Sequence, residues 1–425
     1  MTASKKQVRG SRFNRNRYRH LPRVAFLAHA LAPDYLSSLL IEAVLKRQSK
    51  TWWSGEGDPS SIRWFSFPVH PPEGSGGQSV LVDFYIIPVF ALPDFWGAVR
   101  DGQAYRWVSK LAKAVIADAK RDDVELWLGW GALTKSATDH GAKFLAQEEL
   151  PDFVYTTHGD AGTAAFVLET LLKANTRSGS RISILGANGA IGSVISRALP
   201  FINRRHRPSS IMLVGKSDKG GQTVKRDRLL RLQFEVQTNV IRSGAEIDVL
   251  IHQDNTKASI QHESDIVVVA TTGMDLSPCH VPKGALVLDM TTPSACESHS
   301  DWQSRTVLTS GCGQLRGELL PHHFGRLVDQ SLIDVGAGGE HVLWGCTIET
   351  IARAMFQVRG HLAGEDIPLS AVAQAHRLLR GLADPQSACS FGRYLSWEQV
   401  HSRLYSNPPP LPQHRDEGRG IALSP

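Results

Sequence analysis

The sequence predicts an α/β protein: a Rossmann-like, doubly wound parallel sheet that follows an α/β N-terminal substrate domain, with a helical segment at the C-terminal side. Three observations predict it. From Arg181 onward, short apolar runs alternate with helical stretches, the pattern of parallel strands joined by crossover helices. Within that region, RISILGANGAIGSVISRAL (181–199) is a strand, a glycine loop and a helix in direct succession. Before Arg181, the strand-like runs VAFLAHALAP (24–33), VLVDFYIIPVF (80–90) and VELWLGWGALT (124–134) are separated by their own helical patterns.

The 425 residues suffice for two or three domains. The expected division is a disordered basic tail (1–23), the substrate domain (24–175), the nucleotide domain (176–335), the helical segment (336–405) and a flexible tail (406–425). The net charge of +6 is concentrated at one end. Lys5, Lys6, Arg9, Arg12, Arg15, Arg17, Arg19 and Arg23 precede the first acid, Asp34; the other 39 basic residues face 41 acidic ones. A solubilising extension explains that tail better than a nucleic-acid-binding arm, since the body is nearly neutral. No run reaches the length of a membrane span, so no membrane span is expected. The five cysteines are odd in number and widely spaced, with no CxxC and no zinc-ligand spacing. Free thiols in a reducing, cytoplasmic setting and no metal site follow as expectations.

In chain order, Pro33 and Asp34 open a predicted helix, Tyr35 to Leu45, and residues 51–79 read as a loop around short strands. Trp96 to Arg121 reads as one long helix. The strand at 124–134 runs into a glycine-rich turn that ends at Lys135. A second turn, TTHGDAGTAA (156–165), precedes a helix expected from Ala164 to Ala174. His158 lies in that turn. Asp160 and Thr163 are placed to cap the helix, which would be sufficient reason for their presence.

In the nucleotide half, Gly186, Gly189 and Gly192 allow a tight turn, close approach of a diphosphate and close helix packing, with the phosphates at the helix N-terminus. Asn188, Ala190 and Ile191 complete that binding loop. The next strand, SIMLVG (210–215), ends in Lys216, Ser217, Asp218 and Lys219. A carboxylate at that point would meet a free ribose 2′-hydroxyl; a leading lysine suits a 2′-phosphate. NADPH is therefore the expected cofactor, held there by Lys216, Ser217 and Lys219, with Asp218 as a contrary residue. TVKRDRLLRLQFEVQTNVI (223–241) reads as an amphipathic basic helix. The strands IDVLI (247–251), DIVVVATT (265–272), ALVLDMT (285–291) and TVLTSG (306–311) complete the sheet. Ala270, Thr271 and Thr272 should border the nicotinamide side of the cleft. Asp289 would either border it too or serve as a local cap.

The stretch GAGGEHVLWGCTIETIARAM (336–355) reads as a glycine-rich turn running into a helix. Val342, Leu343, Ile348, Ile351 and Met355 share its buried face, and Cys346 sits about two turns in. A thiol near a helix N-terminus is biased toward thiolate, although most free cysteines are inert packing. A nicotinamide domain combined with such a cysteine points to chemistry at the acyl level. Cysteine exchanges with a thioester at little thermodynamic cost, and hydride delivered to the enzyme thioester leads to an aldehyde.

These residues resemble the cyanobacterial-type long-chain acyl-[acyl carrier protein] reductases, which make fatty aldehydes. The likeness runs, with gaps, from about Val24 to about Met355. It rests on VAFLAHAL, LGWGALT (128–134), TTHGDAGTA (156–164), GANGAIGS (186–193), DIVVVA (265–270), VLDMTTP (287–293) and EHVLWGCTIE (340–349). The resemblance implies that Cys346 forms the acyl-enzyme, with Glu340 and Glu349 at the family's glutamate positions, and that NADPH lies on the glycine loop. It further implies an acyl carrier protein or coenzyme A thioester as substrate, and it leaves open whether the aldehyde is released or passed to a downstream aldehyde-consuming enzyme. Asp160, Gly162 and Ala165 depart from the family's GNTHTAY-like turn, which leaves chain length and carrier open. His341 and His158 are the candidate proton donors, with Lys135 a further group on a cleft-facing turn. Two other readings are an NADP-dependent dehydrogenase of the shikimate or methylene-tetrahydrofolate type without covalent catalysis, and a silent nucleotide-binding scaffold. Two polar helices (368–382 and 396–405) and a polyproline stretch (407–412) close the chain.

Overall fold

The computed structural model describes residues 15–29, 63–87, 97, 99–131, 134–174, 179–215, 224–253, 264–271, 281–282, 284–291, 295–296, 306–316, 319, 342–385, 389–390 and 393–404. The predicted helix 35–45 and the polyproline stretch lie outside them.

The first sheet contains β1 (Arg23–His29), β2 (Arg63–Val69), β3 (Val80–Ile87), β4 (Leu126–Trp130) and β5 (Val154–Thr157), in the order β2-β3-β1-β4-β5. All pairings are parallel except that of β2 with β3. Alternation along β1 divides the apolar side chains between two layers. Ala25 and Leu27 pack with α1 (Gln103–Arg121), through Val108, Leu111, Ala112 and Val115; Val24 and Phe26 face the opposite core. Gly102, at φ +69°, immediately precedes α1, so the expected long helix from Trp96 is interrupted there. Two short helices, α2 (Thr134–Thr138) and α3 (Ala142–Gln147), follow β4. After β5 comes α4 (Asp160–Lys173), which starts four residues earlier than the pattern suggested.

The second sheet contains β6 (Arg181–Leu185), β7 (Ser210–Gly215), β8 (Asp248–Gln253), β9 (Ile266–Val269), β10 (Leu286–Asp289) and β11 (Thr306–Thr309). Its order, β11-β10-β9-β6-β7-β8, is all parallel. Renumbered from its first strand this is 3-2-1-4-5-6, the doubly wound order whose switch point lies between β6 and β9. The crossover helices α5 (Ala190–Ala198) and α6 (Val224–Ser243) connect β6 to β7 and β7 to β8.

The last part is not purely helical, as expected, but mixed. β12 (Cys312–Leu315), β13 (Val342–Trp344) and β14 (Ala383–Pro385) form an antiparallel sheet in the order β13-β12-β14. A two-stranded ribbon pairs β15 (Cys389–Ser390) with β16 (Arg393–Tyr394). The helices are α7 (Gly345–Met355), α8 (Leu369–Arg380) and α9 (Trp397–Leu404). Every residue of α7 is buried. It packs on β1 and β4 of the first sheet and on α4 and α8.

Residues assigned by composition to a disordered tail also take part in the fold. Arg15, in a single 3-10 turn, donates to Asp83 at 2.9 Å and Asp118 at 3.2 Å; Arg23, at the start of β1, pairs with Asp118 and Asp122. Two arginines thus share three aspartates at the amino end of the first sheet, with Arg23 and Asp83 fully buried.

Candidate active site

The glycine loop has the geometry that its sequence predicts. Gly186 is left-handed, at φ +80°, and its N–H and that of Ala187 both donate to the Val214 carbonyl, at 2.9 and 3.1 Å. A Cβ at Gly186 would come within 2.7 Å of the Thr271 side chain and 2.8 Å of the Ala270 carbonyl. A Cβ at Gly192 would collide with the Gly186 carbonyl. Two of the three glycines are therefore required by the fold of the loop itself. Gly189 differs: it is exposed, and its nearest neighbour to an added Cβ would be the Gly186 carbonyl at 3.3 Å. It is the N-cap of α5, and no side chain caps that helix. A small, open cap below free helix amides fits a diphosphate. Asn188 lies toward Gly215 at the end of β7, and Ala190, Ile191, Ala270 and Thr271 line the same switch point. Lys216, Ser217, Lys219 and Thr272 lie outside the described residues. Asp289 is a local cap: its Oδ1 accepts from the N–H and hydroxyl of Thr291, at 2.9 and 2.6 Å.

Cys346 is not two turns into a helix. Val342–Trp344 form a strand, Trp344 is the N-cap, and Cys346 is the second residue of α7. The dipole argument is stronger for this position, because the effect falls off within the first turn. Cys346 is 7% exposed and makes no disulfide.

The surroundings of Cys346 come from the carboxyl ends of β4 and β5. Gly159, at φ +68°, lies so close that a Cβ there would overlap the Cys346 backbone and side chain. One turn on, a Cβ at Gly162 would meet the Gly345 carbonyl at 2.6 Å and Glu349 Cβ at 2.7 Å. Absent side chains let the first turns of α4 and α7 touch. Glu349 joins them: its Oε1 accepts from the Thr157 hydroxyl at 3.0 Å and its Oε2 from the Gly162 N–H at 2.6 Å.

Asp160 is the centre of a buried charged cluster. One carboxylate oxygen takes the Lys135 ammonium; the other takes His140 Nδ1 at 2.9 Å. Burial alone would raise the Asp160 pKa, but the Lys135 charge and the His140 hydrogen bond hold it well below the usual carboxylate range. Burial likewise opposes the Lys135 charge, and Asp160 with Cys346 outweighs it, so Lys135 remains an ammonium. His158 is 2% exposed, and its Nδ1 accepts the Asp160 backbone N–H at 3.0 Å. Burial lowers its pKa to about 4. A neutral imidazole whose Nδ1 is an acceptor carries its proton on Nε2. His158 is thus a hydrogen-bond donor at neutral pH and not a general base. Burial, with the Asp160 and Glu349 carboxylates, pushes the Cys346 thiol up, and the Lys135 charge and the Thr347 backbone N–H offset this only in part. Burial also pushes Glu349 up, opposed first by Arg353 one turn further along α7.

Of the residues selected from sequence, Cys346, His158, Lys135, Asp160 and Glu349 converge at this place. His341 lies outside the described residues. Asp160 is in the first turn of α4 but is not its cap; Gly159 takes that position without a side-chain hydrogen bond. His140 was missed. It sits in a left-handed conformation (φ +50°) beside Asp139 (φ +51°) and Gly141 (φ +85°). The Asp-His-Gly turn directly after a strand–helix connection was its only signal. The two halves of the molecule meet here too, since the Gly345 N–H donates to the Gly311 carbonyl, just past β11, at 2.8 Å. Comparison with protein-family models and with curated proteins returns no match.

Proposed function

We propose that the protein reduces an acyl thioester to the aldehyde with NADPH, through an acyl group held on Cys346. The observation that carries this reading is the position of Cys346. It lies in the first turn of a buried helix, in the field of the Lys135 ammonium, packed on Gly159 in the turn that carries His158, and next to a residue bonded to the end of the second sheet.

In the first step the Cys346 sulfur attacks the thioester carbonyl carbon, and the electron pair moves to oxygen. The carbonyl re-forms as the carrier thiol departs, and the proton lost by Cys346 ends on that thiol. The Lys135 charge draws the thiol toward thiolate against burial, Asp160 and Glu349, and because the turn carrying His158 packs on Cys346, His158 Nε2–H is the donor we assign to the transient oxyanion. Asp160 holds Lys135, and Glu349 with Gly159 and Gly162 fixes the α7 turn that carries the sulfur. A nicotinamide on the glycine loop would supply the hydride that converts the acyl carbon to an aldehyde and releases Cys346 as the thiolate. The substrate is an acyl carrier protein or coenzyme A thioester in the cytoplasm, and the aldehyde passes to a consuming enzyme. The resemblance of the 340–349 segment to acyl-[acyl carrier protein] reductases supports this reading.

The buried Lys135–Asp160 pair supports a second reading. A dehydrogenase could use Lys135 to move the proton of a substrate hydroxyl, with Cys346 as packing. Intact-mass spectrometry separates the two. Protein mixed with a long-chain acyl thioester, without NADPH, should gain the mass of one acyl group. The gain should be absent in Cys346→Ala and discharged as aldehyde when NADPH is added. Absence of any adduct, with Cys346→Ala still oxidising a hydroxy substrate, would establish the dehydrogenase instead.

A further inference from the structure

The carboxyl end of the first sheet holds two nucleophiles. Cys346 is one. The other is Lys135 in α2, 9% exposed, whose ammonium bonds Asp160. Asp160 directly follows Gly159, and a Cβ at Gly159 would stand 2.4 Å from Cys346 Cα and Cβ. The ion pair therefore ties the Lys135 nitrogen to the turn that packs on Cys346. Burial aside, the Lys135 charge is the largest influence on the Cys346 thiol.

A sulfur that carries an acyl group next to an amine is at risk. A neutral amine attacks the thioester carbonyl carbon: a C–N bond forms, the C–S bond breaks, and the sulfur leaves as thiolate and takes the proton that nitrogen loses. The amide is much more stable than the thioester, so the acyl group stays on nitrogen. An ammonium has no lone pair and cannot start the exchange. Burial favours the neutral amine, since a lysine enclosed without a counter-charge titrates as low as about 5–6. The groups around Lys135 decide the balance. His158, in the same turn as Asp160, is neutral at pH 7 and supplies no charge. His140 shares the Asp160 carboxylate. From α7, Glu349 is bonded to the Thr157 hydroxyl and the Gly162 N–H, and the Arg353 charge acts on it from one turn away. Among the described residues, Asp160 is the one carboxylate that meets the Lys135 ammonium.

We infer that Lys135 is a latent acylation site which Asp160 keeps closed: the ion pair stops the acyl group on Cys346 from passing to the Lys135 nitrogen, a transfer that would end turnover. The inference, which rests on the thioester reading, gives the pair a part beyond stability. Lys135 is useful beside the sulfur as a charge and harmful there as an amine. A carboxylate bonded to it separates the two.

Hydroxylamine tests it, because it strips an acyl group from sulfur and leaves an amide intact. The full chain is loaded at pH 7 with palmitoyl-coenzyme A or palmitoyl-[acyl carrier protein], without NADPH, and treated; intact mass and peptide mapping follow. The unaltered protein should carry a labile acyl group on Cys346. Asp160→Asn should build up a resistant one on the Lys135 peptide, at least about a hundredfold faster. Adding Cys346→Ala to that variant should abolish it, since the acyl group arrives through the sulfur. Should the Asn variant fail to fold, the unaltered protein answers alone. Against burial, Asp160 with Cys346 raises the Lys135 pKa, so amide at Lys135 should form about tenfold faster for each unit of pH between 8 and 10. Only labile acyl groups in Asp160→Asn, resistant ones formed equally without Cys346, or a rate indifferent to pH overturn the inference. An unaltered protein that takes up no acyl group overturns the thioester reading, and this inference with it.

Discussion

The carboxyl ends of the two sheets are made of different materials. At the first, ionisable side chains are packed out of water: Lys135, Asp160, His158 and, beside them, Cys346 and Glu349. At the second, the residues at the switch point are Gly186, Gly189, Ala270 and Thr271, and the available groups are backbone amides at the start of α5. Glycines occur at both, with opposite effect. Gly159 and Gly162 make room for other parts of the chain, while Gly189 leaves its space open. One end is therefore filled by the chain's own ionisable side chains; the other keeps an open, glycine-lined surface at the start of a helix.

The largest effect should come from breaking the charged end. Asp160→Asn or Lys135→Met leaves its partner buried without a counter-charge, which costs about 3–5 kcal/mol. Urea unfolding should report this loss, and a cost under 1 kcal/mol would mean that the pair is open to water.

Acid should find the same end. The unfolded chain's His158 takes up a proton near its ordinary 6.5, whereas the folded one does so only near 4. Between those values the unfolded state binds more protons, so stability declines as pH falls from 6.5 to about 4 and is constant above. The decline is on the order of 3 kcal/mol. Asp160 adds its own loss only below its ordinary 3.8. His158→Gln should flatten the curve between pH 6.5 and 4; an unchanged curve assigns the acid sensitivity elsewhere.

The glycines sharpen the contrast. Gly162→Ala should destabilise by about 1–3 kcal/mol, because its methyl meets the Gly345 carbonyl and Glu349. It should leave NADPH affinity within twofold. Gly189→Ala should do the reverse, changing stability by less than about 1 kcal/mol and weakening NADPH by roughly tenfold, as its methyl would stand where the proposed diphosphate is expected to approach. Nicotinamide fluorescence titration alongside thermal melts reads both, and equal effects in the two variants would erase the distinction. The smallest effect belongs to Glu349→Gln. An amide still accepts one of its two hydrogen bonds, so the loss should be on the order of 1 kcal/mol, seen as slower acylation of Cys346.

The second end was legible in the sequence because its geometry is local. Strand, glycine loop and helix follow each other without interruption, and the spacing of Gly186, Gly189 and Gly192 states what each must do. The strands of that sheet were located to within three residues at either end for the same reason. The first end was legible only in fragments. Cys346 and His158 were selected, but Lys135 was placed only as a further group on a cleft-facing turn, Asp160 as a cap, and His140 passed unnoticed. Their significance arises from burial and from contacts between α2, the β5–α4 turn and α7, which are up to about two hundred residues apart in the chain. The start of α7 was misplaced because Val342, Leu343 and Trp344 alternate as readily with a helical register as with a strand. Pairing with β12 decides between them, and that partner is not adjacent in sequence.

At Gly311, Thr163 and Gly345 three segments touch backbone to backbone: a Cβ at Gly345 would stand 2.8 Å from the Gly311 carbonyl and from Thr163 Cα. Material this tightly joined behaves as a pivot. If the two sheets swing apart to admit a long substrate, points near the pivot travel least and the outer rims travel most. The sulfur is one residue from it. The reacting atom would then keep its place throughout opening and closing, while the walls of the cleft move around it.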